Sequence, residues 1–122
     1  FIATDDPAVP QQARAALEGL RVVSVEGNEA LWTAMEASKG TWTEDRLRTR
    51  AIPAAALLRS TMVDIELLSR ARALVGHFGS NLSRLAYMLA ARRRGSHVPY
   101  VSVDGPWCYH WQMCCGVDDE GR

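Results

Sequence analysis

Ala73-Leu74-Val75-Gly76-His77-Phe78-Gly79-Ser80-Asn81-Leu82-Ser83-Arg84-Leu85-Ala86-Tyr87-Met88-Leu89-Ala90-Ala91-Arg92-Arg93-Arg94 is the stretch on which the fold turns. A short apolar run ends at Gly79-Ser80, and beyond it Leu82, Leu85, Ala86, Leu89 and Ala90 recur at the i, i+3, i+4, i+7, i+8 spacing of an amphipathic helix. The pattern predicts a strand over Ala73–Phe78, a tight turn, then a helix. Ser80 suits the N-cap, and Gly79 lets the backbone turn without a Cβ in the way. Arg92, Arg93 and Arg94 stand where a helix C-terminus favours cations. Such a turn aims unpaired backbone N–H groups and the positive end of a helix dipole at one spot, which can hold a phosphate. The motif is neither GxGxxG nor a P-loop, so an anion site and an ordinary capped strand-to-helix turn both stand open.

Upstream, the pattern from Ile52 to about Arg72 predicts a helix with Pro53 in its first turn. Steps of about 100° place Ala54, Leu57, Leu58, Ile65, Leu68 and Ala71 on one face, with Arg59, Glu66 and Arg70 opposite. Asp64 falls on the apolar side, in the stripe of Leu57 and Leu68. A carboxylate there needs partners, because burying it alone costs several kcal/mol or protonates it. Those partners are either N–H groups at a neighbouring helix N-terminus or a ligand with paired donors, of which guanine is one.

At the start of the chain, Phe1-Ile2-Ala3-Thr4 is apolar and β-prone, and Asp5-Asp6-Pro7 ends it before a helical stretch from Ala8 to Leu20. Asp6 suits that helix's N-cap and Gly19 its C-terminal end. A carboxylate at the carboxyl end of a parallel strand lies on the edge where open α/β sheets bind ligands, which makes Asp5 and Asp6 candidates for the site. Arg21-Val22-Val23-Ser24-Val25 reads as a second strand. Glu26 to Arg50 reads as a long, partly ordered excursion with a brief helix over Ala30–Ala37, for which Trp32 and Trp42 are expected packing anchors. Downstream, Ser96-His97 is a loop, and Val98 to Val103 alternates as a strand with Pro99 near its start.

With 122 residues, 48% of them hydrophobic, the chain can bury one modest core. Fourteen basic and fourteen acidic side chains cancel, so global charge favours neither nucleic acid nor an anionic membrane. Apolar runs are too short to span a membrane. The opening at Phe1, without an initiator Met, leads to the expectation that the native N-terminus lies further upstream. Cys108, Cys114 and Cys115 crowd the C-terminal end; even with His110 their spacing matches no common zinc site, and no metal is expected. The domain plan is therefore one α/β domain over 1–106, followed by an aromatic, cysteine-containing tail over 107–122; the resemblance given next implies that the domain is Rossmann-like.

Three stretches taken in order resemble the nucleotide-binding half of the α-1,6-type fucosyltransferases, and more distantly the protein O-fucosyltransferases. They are Phe1-Ile2-Ala3-Thr4-Asp5-Asp6-Pro7, then Met62-Val63-Asp64-Ile65-Glu66-Leu67-Leu68-Ser69, then Val75-Gly76-His77-Phe78-Gly79-Ser80-Asn81-Leu82-Ser83-Arg84-Leu85-Ala86-Tyr87. The resemblance implies an α/β fold with a Rossmann-like open parallel sheet flanked by helices, the C-terminal, donor-binding half of a GT-B enzyme. It implies that Asp64 accepts hydrogen bonds from the guanine of GDP-fucose. Gly79, Ser80 and Asn81 would bind the diphosphate through backbone N–H groups and the Ser80 hydroxyl. Asp5 and Asp6 match an acidic pair that shapes the site, and Arg84 matches an arginine of structural character.

Gly79 and Asn81 stand where the family usually has serine and glutamine, and Met88 where an acidic residue is common. The family's basic motif, with the groups implicated in the chemistry, would lie upstream of Phe1. No catalytic residue is therefore expected in this chain, and it should be inactive alone. The implied reaction is a metal-independent single displacement with inversion on a glycan or protein hydroxyl. The implied partners are the nucleotide sugar, the acceptor and the enzyme's N-terminal half, with no nucleic acid and no membrane segment. The compartment would be the Golgi lumen for a eukaryotic enzyme and the cytoplasm for a bacterial one. Two other readings stay open: a free-standing flavodoxin-like α/β binding or regulatory module, and a GT-B transferase for a different nucleotide sugar.

Overall fold

The computed structural model describes residues 1–6, 8–25 and 29–104. The expected tail, with its aromatic and cysteine residues, and Pro7 lie outside them. The chain forms five helices and two strands among the described residues: α1 (Val9–Ala16), α2 (Glu29–Ala37), α3 (Thr43–Arg48), α4 (Ala54–Leu68), β1 (Leu74–Gly76), α5 (Asn81–Arg94) and β2 (Tyr100–Ser102). It is an α/β chain with a small parallel sheet, divided into two compact units, Phe1–Asp64 and Ile65–Arg122.

The second unit is built on β1, α5 and β2, the strand–helix–strand order expected from Ala73 to Val103. The strands pair in parallel, Leu74 with Tyr100, Val75 with Val101 and Gly76 with Ser102. Both are shorter than their apolar runs. Leu74, Phe78, Tyr87, Ala90 and Val98 form the core, with Leu68, Ala71 and Ala91 packed against it. Aromatic rings give this small core much of its area: Phe78 lies 4.6 Å from Tyr100 and 5.8 Å, edge to face, from Tyr87. The other face of the ladder is open, with Val75 and Val101 exposed. At the far end of α5, Gly95 takes the left-handed conformation (φ 71°) that ends a helix cleanly.

The first unit departs further from the sequence reading. Phe1–Thr4 and Arg21–Val25 are not regular strands; one backbone hydrogen bond, Ile2 N–H to the Val23 carbonyl at 2.8 Å, joins them. The helix expected over Ala8–Leu20 stops at Ala16, three residues before the left-handed Gly19. Two short helices, not one, occupy the excursion. α3 carries no apolar period; it is closed by the Arg50 N–H on the Leu47 carbonyl and the Ala51 N–H on the Arg46 carbonyl, a Schellman ending with Arg50 at φ 57°. Trp42 is 80% exposed just before α3 and anchors nothing, contrary to expectation. Pro10, Leu31 and Ile52 are the buried apolar residues among those described here.

Three stability outcomes follow from this packing and backbone geometry. Phe78 is 1% exposed, so Phe78→Ala should lower the unfolding free energy by about 3–5 kcal/mol in urea titration, while Val75→Thr on the open face should change it by less than about 0.5 kcal/mol. Arg50 occupies the left-handed position where glycine is the unstrained choice, and Arg50→Gly should raise stability by up to about 1 kcal/mol.

Candidate functional site

The expected site has one group at the end of the first unit, Asp64, and one in the second, the turn from Gly79 to Asn81. α4 carries Asp64 between Leu57 and Leu68, and all three are half-buried, with Ile65 buried beside them. The apolar face is narrower than the periodicity suggested: Ala54 and Leu58 are exposed, and Ser69 is buried instead, its hydroxyl donating to the Glu66 carbonyl at 2.8 Å. Burial pushes the Asp64 carboxyl above its ordinary value of 3.8, with no opposing cause. Among the described residues it accepts no hydrogen bond and forms no ion pair.

The turn after β1 has the capped form anticipated for it. Ser80 has extended backbone dihedrals, and its hydroxyl oxygen accepts from the Leu82 N–H at 3.3 Å. Asn81 is the exposed first residue of α5. What the sequence did not disclose is the occupant of the turn's amides. Asp104, just past β2, accepts from the Phe78 N–H through Oδ1 and from the Gly79 N–H through Oδ2, both at 2.8 Å, and the Ser102 hydroxyl adds a third bond at 2.9 Å. His77 Nδ1 lies 3.8 Å from the same carboxylate. A Cβ on Gly79 would come within 2.6 Å of Asp104 Oδ2, so any side chain there would force this carboxylate to shift.

Arg84 holds the turn from its other side, Nε donating to the Phe78 carbonyl at 2.5 Å. This is a positioning contact. Partial burial pushes the Asp104 carboxyl up, but the hydrogen bonds from Gly79, Ser102 and Phe78 outweigh it and hold its pKa below 3.8. The turn is thus a seat for one negative charge, filled by the chain's own carboxylate. A signal for it exists in hindsight: β1 and β2 are parallel neighbours, so an acid just past the end of β2 lies at the same sheet edge as the turn past β1.

Asp5 is exposed, and its carboxylate has no hydrogen bond or ion pair among the described residues, whereas Asp6 does local work. Its Oδ1 accepts from the Ala8 N–H at 2.8 Å, and its own N–H donates to Thr4 Oγ1 at 3.1 Å, fixing the entry to α1. His97 is a loop residue, as read, with Nδ1 3.1 Å from the Tyr87 hydroxyl. No cluster of three or more His, Cys, Asp or Glu side chains that could hold a metal occurs among the described residues. No helix among them is long and apolar enough to cross a membrane. No family model, curated protein or solved structure matched the chain.

The two aspartates give opposite pH dependences. The stabilisation from Asp104 is complete above 3.8 and is lost as pH falls through its lowered folded value, a loss that Asp104→Asn should abolish along with the stabilisation itself. Asp64, with its raised value, costs stability as pH climbs from 3.8 through its folded pKa, so Asp64→Asn should raise the urea midpoint at neutral pH. Gly79→Ala should remove part of the same stabilisation, because the added methyl forces that carboxylate to shift.

Proposed function

We propose that this chain is the donor-binding portion of a fucosyltransferase and holds the GDP of GDP-fucose. Asp64 carries the proposal. It is a half-buried carboxylate without a partner among the described residues, a state that a ligand with two adjacent donors would relieve. Guanine presents such a pair in its ring N–H and amino group. The ordered likeness of the segments around Asp5–Asp6, Asp64 and Gly79–Tyr87 to the α-1,6-type fucosyltransferases supports the same assignment, with a Rossmann-like GT-B half as the architecture.

In this reading the diphosphate takes the place of Asp104. The Phe78 and Gly79 N–H groups turn from carboxylate to phosphate oxygens, the Ser80 hydroxyl donates its free hydrogen, and the dipole at the start of α5 favours the added charge. The acceptor hydroxyl attacks the anomeric carbon from the opposite face as GDP leaves, with inversion. Protein cations and helix N–H groups, in place of a metal, stabilise the leaving diphosphate. This chain's residues bind and orient the donor; the reacting groups belong to the family's basic motif and are not among them. The acceptor would be a glycan or protein hydroxyl, met in the Golgi lumen or the bacterial cytoplasm.

The Asp104 bonds themselves favour a second reading. A turn whose amides are satisfied internally needs no ligand, as suits a free-standing α/β binding or regulatory module. Calorimetric titration of the chain, joined to its upstream sequence where there is one, separates the two. The transferase reading expects GDP to bind better than UDP, and Asp64→Ala to remove that preference by weakening GDP about a hundredfold, the equivalent of two lost charge-assisted hydrogen bonds. Asp104→Asn should tighten GDP by removing a competing anion. Equal affinities for GDP and UDP that ignore Asp64 would leave the module reading standing.

A further inference from the structure

We propose that the arginine-rich end of α5 is a docking surface for an anionic phospholipid membrane face. Between Ile65 and Asp104 the sequence holds Arg70, Arg72, Arg84, Arg92, Arg93 and Arg94, with no lysine, against Glu66 and Asp104 as the acids, although charge cancels over the whole chain. All of these arginines but Arg84 lie at or just past the C-terminal ends of α4 and α5 and are exposed. Internal bonds tie four of the five across the two helix ends. Arg70 and Arg93 both grip the Glu66 carboxylate, and Arg94 Nη1 donates to the Arg72 carbonyl at 3.1 Å.

Ordinary helix electrostatics leaves most of this charge unexplained. Glu66 cancels one guanidinium, and two helix C-termini supply only about half a negative charge each, so a surplus of about three positive charges remains. Arg72, Arg92 and Arg94 have no carboxylate partner among the described residues. Guanidinium groups are weakly hydrated planar forks that match phosphate oxygens in pairs.

The neighbouring surface of α5 selects among phosphate-bearing partners. Leu85, Met88 and Arg92 fall on one stripe, Leu85 44% and Met88 56% exposed, so the arginine end continues into an apolar strip. From Leu85 to Arg94 no exposed residue is aromatic, so this face of α5 offers no ring of its own on which a base could stack. A lipid face suits both halves of the surface, with phosphate for the guanidiniums and the acyl boundary for Leu85 and Met88. This assignment is independent of the donor-binding reading.

Flotation of the 122-residue chain with vesicles of phosphatidylserine and phosphatidylcholine, against vesicles of phosphatidylcholine alone, tests it. Binding should require the anionic lipid and fall steeply with salt. Arg92→Gln and Arg94→Gln should each weaken it about fivefold, and Met88→Glu should weaken it further. Circular dichroism of each surface variant confirms that it folds. Equal binding to neutral vesicles, no binding at all, or indifference to the arginine and Met88 changes would overturn the proposal. So would capture of a single-stranded oligonucleotide through the same arginines while anionic vesicles are ignored.

Discussion

The second unit depends on a single carboxylate held by two consecutive backbone amides. Its sheet consists of two strands with three residues each, and a parallel pair so short has few ladder bonds of its own. Asp104 supplies what the ladder lacks. Through Phe78 and Gly79 it ties the end of β2 to the turn that launches α5, across a separation of 25 and 26 residues. These are charge-assisted bonds, stronger than neutral ones. Arg84 closes the arrangement from within α5 by taking the Phe78 carbonyl, so the peptide groups around Phe78 are held by opposite charges on opposite sides.

Phe78 also joins this polar clasp to the apolar core. Its backbone meets Asp104 and Arg84, while its ring lies among Tyr87, Tyr100 and Leu74. Neither part is strong alone. A core of five buried side chains in a unit this small is modest, and a clasp at the surface is screened by water. Shared through one residue, each limits the motion that would break the other. Gly76 and Gly79 fit the same scheme, since a Cβ at either would approach within 3.1 Å of Ser83 Oγ or 2.6 Å of Asp104 Oδ2.

What could be read in advance follows the same division between local and distant forces. The turn, the Ser80 cap, α5, α4 and the order of β1 and β2 were legible because period and capping chemistry are written in neighbouring residues. α2 was legible in outline as Ala30–Ala37. The apolar segments at Phe1–Thr4 and Arg21–Val25 had strand composition without becoming strands, because a strand is made by its partner's hydrogen bonds and, among the described residues, only one such bond forms. α3 was missed because its end is set by backbone geometry at Arg50, for which an arginine gives no warning. Asp104 was missed for the opposite reason: its partners are remote in sequence, and only the parallel pairing of β1 with β2 brings them to one edge.

Asp64 and Asp104 show how much environment decides the meaning of one residue type. Asp104 is surrounded by donors, its charge is favoured, and its role in the fold is complete without anything from outside the chain. Asp64 is half-buried without donors among the described residues, and its charge is disfavoured by the same burial. Selection for stability alone would place a leucine or an asparagine in that stripe of α4, where the stripe's other members are apolar. A helix that keeps a destabilising carboxylate there forgoes stability that other residues would supply, and strained or unsatisfied groups of this kind collect where a protein acts on something else. Asp64 is thus a polar group that the fold leaves unanswered among the described residues, whereas the turn after β1 is answered by the chain's own carboxylate.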